Sequence, residues 1–72
     1  MSEADLIELT VNGEPRTLAA GSTVADLVAA LNLKPQQVAV ERNKQIVRRD
    51  DHAATALANG DQVEVVTFFG GG

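Results

Sequence analysis

The strongest constraint on the fold is an alternating segment followed at once by a tight-turn pair. Residues 6–11 read Leu-Ile-Glu-Leu-Thr-Val, and this alternation of apolar and polar residues is typical of a half-buried strand. The next pair, Asn12-Gly13, suits a two-residue turn in which both central residues have positive φ. A return strand over 14–18 contains Pro15, which cannot donate to a ladder and so indicates a sheet edge. The chain is therefore predicted to begin with a β-hairpin.

A single helix is predicted after the hairpin. Thr23 is a good N-cap, and Asp26 three residues later lies near the positive end of the helix. Apolar residues at positions i, i+3, i+4 and i+7 then form one stripe: Val24, Leu27, Val28 and Leu31. Asn32 and Pro35 end the helix. One amphipathic helix can cover only one face of a sheet.

Three further strands are predicted, over 38–42, 45–47 and 62–69, with turns at 43–44 and 59–61 and a short helical turn within 48–57. The first and last strands are the most apolar and are expected to lie centrally. The helix is placed to begin a crossover between parallel strands. The prediction is an α+β fold, with a mixed sheet of four to five strands grasping one helix. Residues 1–69 form one domain, and 70–72 form a flexible glycine tail.

Composition excludes several classes of function. The 72 residues leave room for one core, and the absence of cysteine excludes a disulfide framework, a thiolate zinc site and a cysteine nucleophile. A single histidine argues against a histidine-rich metal site. A net charge of −4 makes nucleic acid a poor partner, and no apolar run is long enough to cross a membrane. Together with an acidic N-terminus unlike a signal peptide, these features predict a cytoplasmic location and no membrane partner.

The three glycines after the last strand are the main candidate for chemistry. Glycine lacks a Cβ, so Gly70 and Gly71 can enter a slot too narrow for other residues and follow a bent or an extended path. The α-carboxylate of Gly72 is sterically open, which suits attack and transfer at its carbon. We predict that Gly72 is the reacting residue and that the tail is poorly ordered in the free protein. The alternative is an inert, frayed chain end.

The strand before the tail offers a candidate docking surface. Alternation in 62–65 assigns the two valines to the helix side, because glutamine and glutamate belong in water. Val66 and Phe68 then lie on the face that the helix leaves open, beside Glu8 and Thr10 if the first and last strands pair. An exposed apolar pair directly before a reactive tail is a candidate partner contact. The alternatives are ordinary scatter of surface hydrophobes or a loop folded over the pair.

A charged segment supplies weaker candidates. Four of the six cations fall within 42–49, and Arg42 and Lys44 are candidates for docking to an acidic partner surface. An equally supported interpretation is a solvated hairpin edge that discourages strand pairing. His52 follows two aspartates, but a lone exposed histidine in a charged loop is far more often structural or neutral than catalytic.

Several short segments together resemble the ThiS family of sulfur carrier proteins of thiamine biosynthesis, within the ubiquitin-like β-grasp superfamily. They are Val11–Glu14, Gly21–Leu27, Val38–Asn43, Ile46-Val47, Asn59–Asp61 and the run from Val63 to Gly72. Their order, the length and the diglycine end are specific, although each piece alone is weak. One departure is visible, since Arg48-Arg49 stands where many members have Pro-Arg.

The resemblance implies a non-enzymatic role as a protein co-substrate. A ThiF-like adenylating enzyme would use ATP to activate Gly72, and the carrier would bind no cofactor of its own. Sulfur supplied through a cysteine desulfurase would give a thiocarboxylate, which a ThiG-like thiazole synthase would consume. Alternatives are a MoaD-like small subunit of molybdopterin synthase, a protein-conjugating modifier and a non-catalytic interaction module. The Thr67–Phe69 approach to the glycines favours the thiamine carrier.

Overall fold

The computed structural model describes residues 5–68, which form a five-stranded sheet with one α-helix on one face. The elements are β1 (Leu6–Val11), β2 (Glu14–Ala19), α1 (Val24–Ala30), β3 (Val38–Arg42), β4 (Gln45–Val47) and β5 (Gln62–Thr67), with 3₁₀ turns at Pro35–Gln37 and Arg49–Ala54. The strand order is β2-β1-β5-β3-β4. The predicted α+β class and the interior positions of the first and last strands are confirmed. The last strand is shorter than predicted because its described ladder ends at Thr67.

The hairpin forms as predicted. Asn12 and Gly13 both have positive φ, 53° and 83°, the combination that a type I′ turn requires. β1 and β2 pair antiparallel with Val11 opposite Glu14, which leaves two residues to make the turn. Pro15 lies on β2, an edge strand, where its missing N–H costs the sheet little.

β5 occupies the centre of the sheet, parallel to β1 and antiparallel to β3. This register corrects one expectation. Thr10 lies beside Gln62 at the start of β5, and Glu8 precedes it on a parallel strand. Val66 and Phe68 lie toward the other end of β5, so they are not neighbours of these polar residues. The strand alternation was inferred correctly, but the offset between two parallel strands depends on the crossover that joins them.

α1 begins with the predicted cap. The backbone N–H of Asp26 donates to the Thr23 hydroxyl at 3.2 Å, and the Asp26 carboxylate accepts from the Thr23 backbone N–H at 2.8 Å. The helix ends at Ala30, and Asn32 follows with a φ of 61°. Its apolar stripe packs on the sheet in a core of ten buried residues: Leu9, Val11, Val24, Leu27, Val28, Val38, Val40, Leu57, Val63 and Val65.

The face of the sheet opposite α1, called the open face below, carries the outward side chains. Val63 and Val65 are 1% and 7% exposed, whereas Val66 and Phe68 are 56% and 54% exposed. The predicted facing of β5 is therefore confirmed. Within residues 5–68 no helix or loop covers the two exposed side chains.

Candidate functional site

The start of β5 is fixed by a buried carboxylate. Asp61 is 6% exposed and accepts three hydrogen bonds: from Nε of Arg42 at 2.8 Å, from Nδ2 of Asn43 at 3.0 Å and from the backbone N–H of Ala58 at 2.8 Å. Burial by itself raises the pKa of this carboxyl. The hydrogen bonds from Arg42, Asn43 and Ala58 and the charge of Arg42 outweigh burial, so the pKa of Asp61 lies below its ordinary value. The carboxylate is charged at neutral pH and ties β3 to β5.

Asp61 was not among the candidate residues predicted from the sequence. The turn Asn59–Asp61 and the cations of 42–49 are both visible in the sequence, but nothing in the sequence shows that the two segments are neighbours in space. The pairing of β3 with β5 brings them together, because Arg42 lies opposite Val63 on the neighbouring strand. The burial of Asp61 and its three hydrogen-bond donors depend on tertiary contacts, which the sequence does not show by itself.

The structure gives Arg42 a contact that the docking prediction did not include. Its guanidinium is one third exposed and forms an ion pair with Asp61. Arg42 therefore has a structural role, and its contact with a partner stays a prediction. Lys44 is exposed and has a φ of 70°, a conformation that costs a side-chain-bearing residue free energy. Asn43 precedes it with a φ of 53°, so the β3–β4 turn also has two positive φ values.

The end of β5 is exposed where its start is buried. Phe68 follows the strand, and its backbone N–H donates to the Gln37 carbonyl at 2.6 Å, which continues the antiparallel pairing with β3 by one residue. Its side chain is 54% exposed, close to the 56% of Val66. The two predicted docking residues thus lie on a backbone that the sheet holds.

Ile46 adds a third apolar side chain to the open face. On β3, Glu41 lies opposite Ile46 and Ala39 lies opposite Val66. Glu41 and Ala39 flank the buried Val40, so they and the residues opposite them face away from the helix. Ile46 is 73% exposed. Ile46 was not predicted from the sequence, because a three-residue strand shows too little alternation to assign its side chains to a face. We call Val66, Phe68 and Ile46 the apolar patch.

Other sequence candidates have different outcomes. The predicted reacting residue Gly72 and its neighbours Gly70 and Gly71 lie outside the described residues, so their chemistry and mobility stay predictions.

His52 was expected to be exposed, and this is wrong: it is 4% exposed, because the 3₁₀ turn that carries it packs near α1. Its Nε2 lies 3.2 Å from the Val47 carbonyl, which supports the structural interpretation.

Across 5–68, no three histidine or acidic side chains are grouped as a metal ion would require. No helix in the same range is long and apolar enough to cross a membrane.

Comparison with known proteins assigns the family. The model of the ThiS family matches residues 9–72, from the second half of β1 through the helix and the other strands to the glycine end. The chain belongs to the ThiS family. A sulfur carrier protein ThiS of Bacillus subtilis is 40% identical over 50 residues, which are 69% of this chain and 76% of that protein. The match favours the thiamine-pathway resemblance over the molybdopterin-synthase alternative.

Solved structures agree with this family membership. A crystal structure of the thiamine biosynthesis protein ThiS from Geobacter metallireducens superposes with a TM-score of 0.77 at 39% identity, covering 92% of this chain and all of that one. A solution structure of a thiamine biosynthesis protein from the same organism gives 0.76 at 39% identity, covering 92% and 88%. The predicted β-grasp architecture is confirmed.

Two longer relatives are named thiazole synthase. The protein from Magnetococcus marinus is 46% identical over 66 residues, and that from Paramagnetospirillum magneticum is 42% identical over the same length. Each match covers 92% of this ThiS-family chain but only 20% of the relative. The chain therefore spans about a fifth of the length of these curated relatives.

Proposed function

We propose that this chain is a sulfur carrier protein of thiamine biosynthesis, whose Gly72 carboxylate is activated and converted to a thiocarboxylate. The observation that carries the proposal is the ThiS-family match, which runs through residue 72 and so includes the glycine end. The fold adds support, since it leaves two side chains of the apolar patch, Val66 and Phe68, exposed at the end of the strand that leads to the tail. The chain is a protein co-substrate, and catalysis belongs to its partners.

Activation is needed because a carboxylate has no good leaving group. In the proposed first step an oxygen of the Gly72 carboxylate attacks the α-phosphorus of ATP, and pyrophosphate leaves. A sulfide-level nucleophile then attacks the acyl carbon, and AMP departs with the bonding electron pair. A ThiF-like adenylating enzyme performs the first step. A cysteine desulfurase supplies the sulfur as a persulfide, which a thiol reduces to the sulfide level while it is itself oxidised to a disulfide. ATP is bound by the enzyme and not by the carrier.

The apolar patch is the proposed contact surface for the adenylating enzyme. Any enzyme that acts on Gly72 must hold the carrier close to the tail, and Phe68 lies four residues before that carboxylate. Burial of side chains that are more than half exposed contributes favourable free energy on binding. Lys44 and the exposed part of Arg42 border the same end of the sheet as Ile46 and would pair with acidic residues of the partner.

The acceptor of the sulfur is proposed to be a ThiG-like thiazole synthase. Two proteins named thiazole synthase contain a segment similar to nearly the whole of this chain. A segment of this kind inside a protein of that name supports the association of carrier and synthase when they are separate chains. The cytoplasmic location expected from the sequence stays a prediction.

Complementation tests this function in a cell. A bacterial strain that lacks its own thiamine sulfur carrier should grow without thiamine when this chain and its adenylating enzyme are supplied. The matched control lacks only Gly72 and should fail to restore growth. Rescue of a strain that lacks the small subunit of molybdopterin synthase, without rescue of the thiamine strain, would contradict the proposal. Equal growth with the truncated chain would contradict the role of Gly72.

A further inference from the structure

The ladder between β1 and β5 extends beyond the end of β1. β1 ends at Val11, because the chain turns at Asn12. The side chain of Asn12 nevertheless bonds to both backbone groups of Val65. Its Oδ1 accepts from the Val65 N–H at 2.8 Å, and its Nδ2 donates to the Val65 carbonyl at 3.2 Å.

The two bonds to Val65 continue the regular hydrogen-bond spacing of the parallel ladder between β1 and β5. The carbonyls of Asp61 and Val63 accept from the backbone N–H groups of Thr10 and Asn12, at 3.0 and 2.8 Å. The next carbonyl in the series is that of Val65, and Nδ2 of Asn12 donates to it. The primary amide of Asn12 thus supplies to Val65 the acceptor and the donor that two successive peptide groups of a longer β1 would supply.

The position of this contact relates it to the tail. Val65 lies three residues before Phe68, and beyond Val63 the edge of β5 that faces β1 has the Asn12 amide as its hydrogen-bond partner among residues 5–68. The opposite edge pairs with β3, up to the bond between Phe68 and Gln37. The last part of β5 is therefore held on both sides only as long as the amide is present.

We propose that Asn12 is a positioning residue for transfer at Gly72, a role that rests on the function proposed above. It acts through Val65 by fixing the direction in which β5 delivers the tail, and it touches no reacting atom. Without the amide, the residues after Val63 rely on β3 alone and sample a wider range of directions. An enzyme that binds the patch and the tail together must then restrict that range at an entropic cost on binding.

The test compares two asparagine-to-glycine variants. Asn12→Gly keeps the positive φ of its turn and removes both bonds to Val65. Asn43→Gly is the matched control, because Asn43 also opens a turn with two positive φ values and also bonds β5 through its side chain. The control removes bonds to Asp61 and to the Gln62 N–H, at the start of β5 and far from the tail.

Two measurements are made on both variants and the wild type. Amide hydrogen exchange at Val65 should be at least about tenfold faster in Asn12→Gly and unchanged in Asn43→Gly. In ATP–pyrophosphate exchange with the adenylating enzyme of the same organism, KM for the carrier should rise about fivefold in Asn12→Gly, as expected for the loss of two weak hydrogen bonds. The kcat should stay within about twofold, because the reacting atoms are untouched.

Each outcome decides the proposal. An unchanged KM in Asn12→Gly, or an equal rise in both variants, would overturn the positioning role and leave only a contribution to stability. Unchanged exchange at Val65 would overturn its structural basis. If the wild type itself supports no pyrophosphate exchange, the proposed function fails, and the positioning role fails with it. Wild-type exchange with a selective KM effect supports both.

Discussion

The two ends of β5 differ in what holds them. At its start, the buried carboxylate of Asp61 gathers three donors and joins β5 to the turn before it and to β3. At its end, Val66 and Phe68 are more than half exposed, and the contacts that hold the backbone come from Gln37 and from the amide of Asn12. The start is stabilised within the molecule, whereas the end presents apolar surface to the outside.

This difference shows how a small domain can combine stability with partner contact. A chain of 72 residues has little free energy of unfolding to spare. Within residues 5–68, the core lies on the helix side of the sheet and the Arg42–Asp61 ion pair lies at the start of β5, away from the exposed Val66 and Phe68. The exposed end of the same strand leads directly to the glycines. Changes at the start should therefore affect stability, and changes at the end should affect binding and transfer.

Deletion of Gly72 should have the largest effect on function. The truncated chain lacks the carboxylate in question, and we expect no ATP–pyrophosphate exchange with the cognate adenylating enzyme. Its thermal midpoint should equal that of the full chain, because the core lies within residues 9–65. Normal exchange by the truncated protein would show that the reacting group lies elsewhere.

Asp61→Asn should have the largest effect on stability. It removes the charge that holds Arg42 and should lower the free energy of unfolding at pH 7 by about 2 kcal/mol. Denaturant titration measures this, and binding of the adenylating enzyme to the folded variant should weaken much less than in Phe68→Ser, because the apolar patch is untouched. A large loss of binding with unaltered stability would reverse the assignment of the two ends of β5.

The pH dependence of the wild type provides a second test of Asp61. Because its folded pKa is lowered, its stabilising contribution is present above the unfolded value near 3.9 and is lost as the pH falls through the folded value. Wild-type stability should therefore decline in acid below about pH 4 by more than that of Asp61→Asn. Parallel curves for the two proteins would show that Asp61 contributes no such dependence.

Phe68→Ser should weaken binding without a comparable loss of stability. We expect the Kd for the adenylating enzyme to rise about tenfold, as removal of an aromatic contact from an interface commonly does. Leu6→Ser is the matched control, since Leu6 is exposed to a similar extent, 51%, but lies at the far end of the parallel strand β1. Calorimetric titration should separate the two variants. A collapse of the thermal midpoint in Phe68→Ser would instead place Phe68 in the core.

Lys44→Gly should have the smallest effect of these variants. It should raise the stability of the fold and weaken binding to the partner. Glycine accommodates the φ of 70° without strain, so the free energy of unfolding should rise by about 0.5–1 kcal/mol. Loss of the cation should weaken binding slightly, and the effect should diminish at high salt. Unchanged affinity at low salt would show that Lys44 contributes only to the turn.

Local patterns predicted most of the fold. The Asn12-Gly13 turn, the Thr23 cap and the facing of β5 each depend on residues adjacent in sequence, and each is confirmed. The offset of β1 against β5 was not predictable, because it is set by the crossover between them and not by either strand. Asn12 was predicted only as a turn residue. The bonds from its side chain to Val65 were not predictable either, because they depend on the same offset between β1 and β5.

The site was predicted less completely than the fold. Val66 and Phe68 follow from strand alternation, but Ile46 lies in a strand too short to show it. Asp61 was not selected and His52 was wrongly expected to be exposed, because burial of a polar residue depends on donors and neighbours that are distant in sequence. Charge patterns alone made Arg42 a docking candidate, although its Nε bonds within the molecule.

Mass spectrometry of the protein tests whether Gly72 carries a thiocarboxylate. The protein is isolated from cells grown without thiamine, and its C-terminal peptide is fragmented to locate any change. We expect a fraction in which one sulfur replaces one oxygen at Gly72, and this fraction should disappear when the adenylating enzyme is deleted. An unmodified carboxylate on every molecule under thiamine limitation would contradict the proposed sulfur transfer.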